Sequence, residues 1–493
     1  MKKPWLVATI IIVILFLALR IPSIMRETVP YTYDQGRDFL VAKDIVVDKN
    51  ITLLGPTTGA QGVFHGAWWY YFLAIPFALT NGASQSFYYF ITFVALIEAL
   101  TFWYFVRKEH GNALALLVLA VIAVSPYFIR TSTFPINSIL TMPFIIMLII
   151  ASKKYLQEKK LIYLFTIAIS AGMIAEAEVA FGTFLFPSLF LTIILTRNTK
   201  LFFGSVKKVG AILLGIAIPM SLRILFELKH GFLQTKSFLA FRNIPGTEPQ
   251  TWFGVFKVRL FQFKGFYQDL FPDELGILVW ILLIFALYGL AISFRKFSST
   301  QRRFVVFITT LLILLFLISL TYKQSFFWAY YLEGIHYVLL TLLVLGLYGL
   351  IKEVKGVAHV LLILIVVLVS AGVLRLNTDI RTKQENIGLR MHTVAIDYLY
   401  KNVQKDDFCL HMYTPPVLTH TYNYLLNLKQ RINGMAYPKT EFVHNECWYF
   451  IESDLFVERR QQWLNNNIPE KAYKAQEYEV SKDLLIQKWS LSQ

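Results

Sequence analysis

Long apolar runs dominate the first 374 residues of this 493-residue chain. A helix needs about 20 apolar residues to cross a bilayer, and eleven runs approach that length. They cover approximately residues 5–19, 86–106, 112–129, 137–151, 161–176, 180–196, 209–226, 275–294, 304–322, 331–351 and 357–374. With 56% apolar and only 16% charged residues, the chain has too little polar surface for a soluble enzyme. The runs predict an all-α polytopic membrane protein with about eleven transmembrane helices.

The net charge of +16 lies almost entirely in the apolar part of the chain, because residues 375–493 hold 15 basic and 14 acidic side chains. The basic residues cluster between alternate apolar runs, near 107–111, 152–160, 197–208, 295–303 and 352–356. Cytoplasmic loops of membrane proteins carry this excess of Lys and Arg. The pattern predicts a cytoplasmic amino terminus and an extracytoplasmic tail, and it requires no nucleic acid partner.

Three polar stretches interrupt the apolar pattern: a first loop at 26–66, a second large loop at 227–274, and the tail. Residues 67–80 are apolar but short, as in an interfacial or re-entrant helix. The start of the chain resembles a signal peptide without a small-residue cleavage site, so we expect an uncleaved first span. We therefore divide the chain into a membrane domain, 1–374, and an extracytoplasmic domain, 375–493.

The tail has the pattern of a small α/β domain. Amphipathic helix patterns at 384–403 and 453–466 alternate with aromatic or β-branched runs at 407–413, 447–452 and 476–480. The chain's two cysteines, Cys409 and Cys447, both lie here. They either form a disulfide, if the compartment is oxidising, or remain buried thiols.

Motifs for nucleotide binding, zinc peptidases and α/β-hydrolases are missing from the sequence. The candidate functional residues are therefore the ionisable side chains of the apolar runs. Charge in hydrocarbon is costly and therefore usually functional. The ionisable residues of the runs are Glu98, Arg130, Glu176, Glu178, Arg223, Glu227, Glu333 and His336. All except Glu98 fall near the predicted outer ends of their spans, which brings them close to the first loop.

The first loop contains the most informative residues, Tyr31-Thr32-Tyr33-Asp34-Gln35-Gly36-Arg37-Asp38. A carboxylate just outside an apolar bundle and next to an arginine can stay ionised while partly desolvated, which suits a general base acting on a hydroxyl. The aromatic run 68–71 can stack on sugar faces or lie at the lipid headgroups. An ordinary loop salt bridge between Asp34 and Arg37, with an interfacial aromatic belt, is the alternative interpretation.

In the order of its motifs the chain resembles the GT-C glycosyltransferases of family 39, the protein O-mannosyltransferase-like superfamily. The matching motifs are Tyr-Asp-Gln-Gly-Arg-Asp at 33–38, Leu-Gly-Pro-Thr-Thr-Gly at 54–59 and Phe-His-Gly-Ala-Trp-Trp-Tyr-Tyr at 64–71, with further similarity at 133–137 and 226–232. The resemblance implies a bacterial enzyme of the plasma membrane. Such enzymes transfer a sugar, with inversion, from a polyprenyl-phosphate carrier to a glycan, lipid or protein acceptor on the extracytoplasmic face.

The resemblance implies that Asp34 is the catalytic base and that Asp38, the second carboxylate of the motif, is a further catalytic residue or orients Arg37 or the acceptor instead of reacting. It also implies that His65 donates a hydrogen bond to the leaving phosphate. Positive charge suggests further ligands of that phosphate, with anchoring in the headgroups as the favoured role of any single one: Arg37, Arg130, Arg223, Lys229 and His230. Candidates for sugar or acceptor binding, with a structural role as the alternative, are Trp68, Tyr70, Glu176, Glu178 and Glu333.

Two positions depart from the family pattern. Ala67 stands where the His-Gly-Pro element has proline. Asn137 stands where several relatives have an acidic residue that helps to hold a divalent ion. The resemblance therefore leaves a requirement for Mg²⁺ or Mn²⁺ open.

A transporter or flippase of lipid-linked glycans is the alternative function, since it would also have many spans with charges at their ends. Transporters usually place charged residues and helix breaks near the midplane, in two related halves. This sequence has its charges at one face and shows no internal repeat. The pattern therefore favours the enzyme.

Overall fold

The computed structural model describes residues 3–242, 251–322, 327–381, 385–403 and 407–492. The helices within these ranges are α1 Lys3–Ala18, α2 Ile21–Met25, α3 Tyr33–Val46, α4 Trp68–Thr80, α5 Ser84–His110, α6 Asn112–Val124, α7 Pro126–Thr131, α8 Thr141–Glu158, α9 Leu161–Ala177, α10 Val179–Leu195, α11 Thr199–Phe203, α12 Val206–Lys229, α13 Leu233–Arg242, α14 Trp252–Gln268, α15 Ile277–Ser293, α16 Ser299–Ser319, α17 Ile335–Glu353, α18 Val357–Arg381, α19 Gly388–Asn402, α20 His420–Asn433 and α21 Val457–Asn467. The strands are β1 Leu54–Thr57, β2 Phe64–Gly66, β3 Leu410–Tyr413, β4 Glu446–Glu452, β5 Ala472–Ser481 and β6 Leu484–Leu491.

Long apolar helices form the membrane domain, because a helix satisfies its backbone hydrogen bonds internally where no water is present. Among the described residues, eight segments are long and apolar enough to cross a membrane: Lys3–Met25, Ser84–His110, Asn137–Glu158, Val206–Lys229, Ile277–Lys296, Ser299–Ser319, Ile335–Glu353 and Val357–Asp379. Three shorter apolar helices, α6, α9 and α10, coincide with other predicted runs. The predicted fold class, a multi-pass helical membrane protein, is confirmed, while the total of eleven spans stays a prediction.

The first loop folds into a helix and a hairpin, whereas the sequence analysis treated it only as a polar loop. α3 starts with a capping box, in which both the hydroxyl and the N–H of Thr32 donate to Gln35 Oε1, at 2.7 and 2.8 Å. Gln35 Nε2 in turn donates to the carbonyl of Pro135 at 3.1 Å, which fixes the start of α3 against the membrane domain. β1 and β2 then pair antiparallel, and the 13-residue α4 follows where a short helix is predicted.

The tail is the predicted α/β domain. Its sheet has the order β3-β4-β6-β5, with β3 parallel to β4 and the other pairs antiparallel. Cys409 and Cys447 form a disulfide at the start of β3 and β4. The predicted elements of the tail include neither α20 nor β6, although Tyr422, Leu425 and Leu426 are buried at helical spacing. The predicted boundary at 374 falls inside α18.

The tail packs directly on the first loop. Tyr31 Oη donates to the carbonyl of Thr421 at 3.0 Å. Gly36 of α3 lies so close to the start of α20 that a side chain at this position would overlap the backbone of His420. Glycine is needed here because it allows the two backbones to approach. The tail thus helps to position α3.

Candidate active site

A cavity of about 1170 Å³ lies where the first loop, the α9–α10 turn and the segment before α17 meet. Five of the predicted catalytic or binding residues line it: Asp34, Arg37, Asp38, His65 and Glu178. Ligand pockets are concave and carry a few convergent polar groups, and clustered titratable side chains mark functional sites. The cavity is therefore the candidate active site.

Asp34 is the carboxylate that a ligand in the cavity can reach. As the second residue of α3, it lies at the positive end of the helix dipole. Its Oδ1 is 2.9 Å from Arg37 Nη1, and its side chain is 40% exposed. The side chain of Asp38, four residues later, is only 2% exposed.

Asp38 holds Arg37 in place. Its Oδ1 accepts from Arg37 Nε at 2.9 Å, and its Oδ2 accepts from Trp69 Nε1 at 2.7 Å. Burial raises the pKa of Asp38 to about 6, although Arg37 and Trp69 both favour its ionised form. Burial lowers the pKa of Arg37, but Asp38, Tyr70 and Asp34 outweigh it and raise that pKa above its ordinary value. Asp38 thus contacts Arg37 directly, with both Arg37 Nε and Nη2 near its Oδ1.

His65 is a neutral hydrogen-bond donor. The backbone N–H of Val179 donates to its Nδ1 at 3.4 Å, which leaves the ring proton on Nε2. Burial, with the nearby charges of Arg223 and Arg37, lowers the pKa of His65 to about 3. At neutral pH the ring can therefore donate one hydrogen bond to a ligand but contributes no charge.

Glu178 joins α9 to α10 and is buried in the cavity wall. Its Oε1 accepts from the N–H of Ala180 at 3.3 Å, which caps α10. Burial raises the pKa of Glu178 to about 8. The hydrogen bond from Ala180 lowers this pKa and the neighbouring Glu333 raises it, but both effects are smaller than that of burial. Its carboxyl group is accordingly protonated at neutral pH and can donate a hydrogen bond.

Arg223 and Glu176 lie behind the cavity and do not line it. Arg223 Nε is 2.5 Å from Glu176 Oε1, and its Nη1 donates to the carbonyl of Phe64 at 2.9 Å and to Gln234 Oε1 at 3.0 Å. Beside them, a side chain at Gly66 would overlap the carboxylate of Glu176. This group fixes β2, the strand that carries His65.

The other predicted phosphate ligands also lie outside the cavity lining. Arg130 is exposed, with its guanidinium 5.8 Å from the ring centre of Tyr127. Lys229 and His230 are exposed at the end of α12, where the His230 ring lies 4.3 Å from that of Phe226. These three basic residues therefore do not join Asp34 in the cavity lining.

The remaining sugar-binding candidates are buried or partly buried around the site. Trp68 Nε1 donates to the carbonyl of Pro219 at 2.6 Å. Tyr70 is buried beside Arg37, and burial together with Asp38 raises its pKa. Glu333 is buried, and its backbone carbonyl accepts from the Thr141 hydroxyl at 2.6 Å. None of these three is among the residues that line the cavity.

Several residues of the site were missed in the sequence. Trp69 was noted only as part of an aromatic run, and nothing local indicates that it bonds Asp38. Trp328, Tyr330 and Tyr331 line the cavity. Their only sequence signal is an aromatic cluster at the start of an apolar run, a pattern that is also typical of a membrane interface.

The acidic residues do not fit a divalent ion. Within the part of the chain that the structure describes, the only His, Cys, Asp or Glu group close enough to share a metal is Cys409, His411 and Cys447, and both sulfurs are in the disulfide. Asp34 and Asp38 both bind Arg37. Asn137 lines the cavity but donates its amide to the carbonyl of Ala177 at 2.8 Å.

Two solved structures share this fold over nearly the whole chain. ArnT from Cupriavidus metallidurans in the apo state has a TM-score of 0.61 at 9% identity, with 99% of this chain and 98% of that chain covered. The same protein bound to undecaprenyl phosphate has a TM-score of 0.57 at 10% identity, with the same coverage. No protein-family model and no curated protein matches the sequence. The likeness confirms the predicted GT-C fold.

Proposed function

We propose that this chain, which has the fold of ArnT, is a membrane glycosyltransferase that moves a sugar from a polyprenyl-phosphate carrier to an acceptor hydroxyl. The observation that carries the proposal is the open carboxylate of Asp34, paired with Arg37 at the wall of a cavity of about 1170 Å³. A base and a cation side by side suit a reaction that removes a proton and releases a phosphate. The ArnT structure with bound undecaprenyl phosphate supports a lipid phosphate as ligand.

In the proposed reaction the acceptor oxygen attacks the anomeric carbon from the face opposite the phosphate, which inverts the configuration. Asp34 takes the hydroxyl proton while the new C–O bond forms, and the bond from the anomeric carbon to the phosphate oxygen breaks. Protonation of Asp34 removes the charge that holds Arg37 Nη1. The guanidinium is then free to stabilise the departing phosphate, to which His65 Nε2 can also donate.

The test of this function is release of the carrier. Purified protein is incubated with glycosyl-undecaprenyl phosphates that carry mannose, glucose, galactose or arabinose, with an alkyl glycoside supplying the acceptor hydroxyl. We expect undecaprenyl phosphate and a new glycoside in equal amounts from at least one donor. If no donor is consumed, with the acceptor or with water, the proposal is wrong. Transport of the intact donor across vesicles would instead favour the flippase.

We further propose that the site faces away from the cytoplasm. The alternation of basic loops and the Cys409–Cys447 disulfide support this orientation, because disulfides persist in oxidising compartments. The described residues contain no free cysteine, so one introduced thiol can be labelled selectively. Ile51 of the first loop is 79% exposed, and Val206 of a predicted cytoplasmic loop is 88% exposed. An impermeant maleimide should label Ile51→Cys on intact cells and Val206→Cys only after lysis; the reverse pattern would contradict the orientation.

Glu178 should make donor binding depend on pH. Below about pH 8 its carboxyl is neutral and can donate to the ligand, whereas above this pH it becomes an anion close to an anionic phosphate. We expect the donor KM to rise about 10-fold as the pH is raised through this pKa, because a hydrogen bond is lost and repulsion is gained. Glu178→Gln stays neutral, so its KM should remain flat over the same range. A wild-type KM that does not change above pH 8 would exclude this role.

A further inference from the structure

Trp328 and Tyr330 form an aromatic platform on the wall of the cavity. Their rings are parallel to within 7°, with centres 6.1 Å apart. Trp328 is 53% exposed and Tyr330 is 39% exposed. Both rings thus keep much of their surface free for contact with a ligand.

A rigid base holds this aromatic platform. Tyr331 packs edge-on against Tyr330, with ring centres 5.1 Å apart at 87°, and against Phe327, with centres 5.4 Å apart at 81°. The guanidinium of the buried Arg259 lies 3.6 Å from the ring centre of Phe327 and donates to the carbonyl of Tyr322 at 2.7 Å. Gln262 Nε2 binds the carbonyl of Phe327 at 2.6 Å. The segment that carries the exposed rings is therefore anchored before a ligand arrives, which limits the entropy that binding would cost.

Carboxyl groups lie within electrostatic range of the aromatic platform. Burial, together with the nearby carboxyl groups of Glu178 and Asp34, raises the pKa of Tyr330 to about 12. Asn137 and Ser138 also line the cavity. Flat aromatic faces bind the C–H face of a sugar ring, while carboxyl and amide groups bind its hydroxyls. An isoprenoid tail would need the aromatic surface but not the carboxyl groups.

On the basis of the proposed glycosyl transfer, we propose that the aromatic platform is the subsite for the donor sugar, with the ring of the sugar stacked on Trp328 and Tyr330. This position directs the hydroxyls of the sugar towards Glu178 and its anomeric carbon towards the Asp34 side of the cavity. The subsite selects a pyranose with one face free of axial hydroxyls, because an axial hydroxyl would separate the C–H surface from the rings.

Because the proposed subsite recognises the sugar and not the lipid phosphate, binding is measured with two probes. One is the glycosyl-undecaprenyl phosphate that the wild type turns over fastest, with turnover blocked by omitting the acceptor and by Asp34→Asn. The other is bare undecaprenyl phosphate. In that background, Trp328→Ala and Tyr330→Ala should each weaken binding of the glycosyl donor by roughly 10- to 100-fold, the expected effect of losing burial of one aromatic side chain. Binding of the bare carrier should stay within about 2-fold.

The outcomes of this experiment are distinct. Equal losses for both probes would mean that the aromatic platform holds the isoprenoid, and unchanged binding of both would mean that it holds nothing; either result overturns the proposal. A protein that binds the bare carrier but consumes no glycosyl donor instead contradicts the proposed function. Trp328→Phe should retain most of the donor affinity, since a flat ring remains. Tyr473→Ala, at an exposed tyrosine of β5 outside the cavity, is the matched control and should change neither affinity.

Discussion

Replacement of Asp34 by Asn is expected to lower kcat for sugar transfer by about 10²- to 10⁴-fold, the usual contribution of a positioned general base. Asn has nearly the same shape but cannot accept the proton of the acceptor hydroxyl. It also releases Arg37 Nη1 from an ion pair of 2.9 Å, so the guanidinium gains freedom to bind the donor phosphate. The donor KM should therefore stay constant or fall while kcat collapses. Steady-state release of undecaprenyl phosphate measures both constants.

The matched control for Asp34→Asn is Asp44→Asn. Asp44 lies on the same helix but pairs with Lys43 at 2.5 Å, and it is not part of the cavity lining. Its substitution should leave kcat unchanged and thereby show that loss of one acidic residue from α3 does not inactivate the protein. Thermal unfolding of both variants should match the wild type. If Asp34→Asn retains the wild-type rate, another group is the base.

The charged group around Asp34 could be predicted from the sequence because its residues are close along the chain. Arg37 and Asp38 lie three and four positions after Asp34, the spacings that place side chains on the same helix face as Asp34. The sequence pattern singles out these residues but predicts a loop for their segment. The capping box of Thr32 and Gln35 is a helix signal, and it explains why Asp34 falls in a first turn.

Trp69 and the aromatic platform could not be assigned to the site from the sequence, because their contacts join distant segments. Trp69 binds Asp38 across 31 positions, and the aromatic platform approaches α3 from a segment almost 300 residues later. The spans were predictable because the bilayer imposes length and apolarity on each segment separately. No such rule predicts which spans pack against each other. The sequence therefore suggested ligand roles for Arg223 and Glu176, whereas the structure pairs them with each other.

Arg223→Met is expected to destabilise the protein by about 3 kcal/mol, because it leaves the buried carboxylate of Glu176 without its partner. The side chain of Glu176 is 1% exposed and that of Arg223 is 14% exposed, so water cannot readily replace the lost contact. The carbonyl of Phe64 also loses a donor, which should loosen β2 and its His65. A lower midpoint of thermal unfolding in detergent, with reduced kcat, is the expected result.

The double variant Glu176→Gln with Arg223→Met separates a structural role for Arg223 from the phosphate-binding role predicted from sequence. If Arg223 acts by neutralising Glu176, removing both charges should restore most of the lost stability, since a neutral pair carries no buried charge. Recovery should be incomplete, because the carbonyl of Phe64 still lacks its donor. If Arg223 instead binds the donor phosphate, the single variant should raise the donor KM without lowering the unfolding midpoint, and the second substitution should not restore it. If the effects of the two substitutions are non-additive for stability but additive for the donor KM, Arg223 supports β2 and does not bind the phosphate.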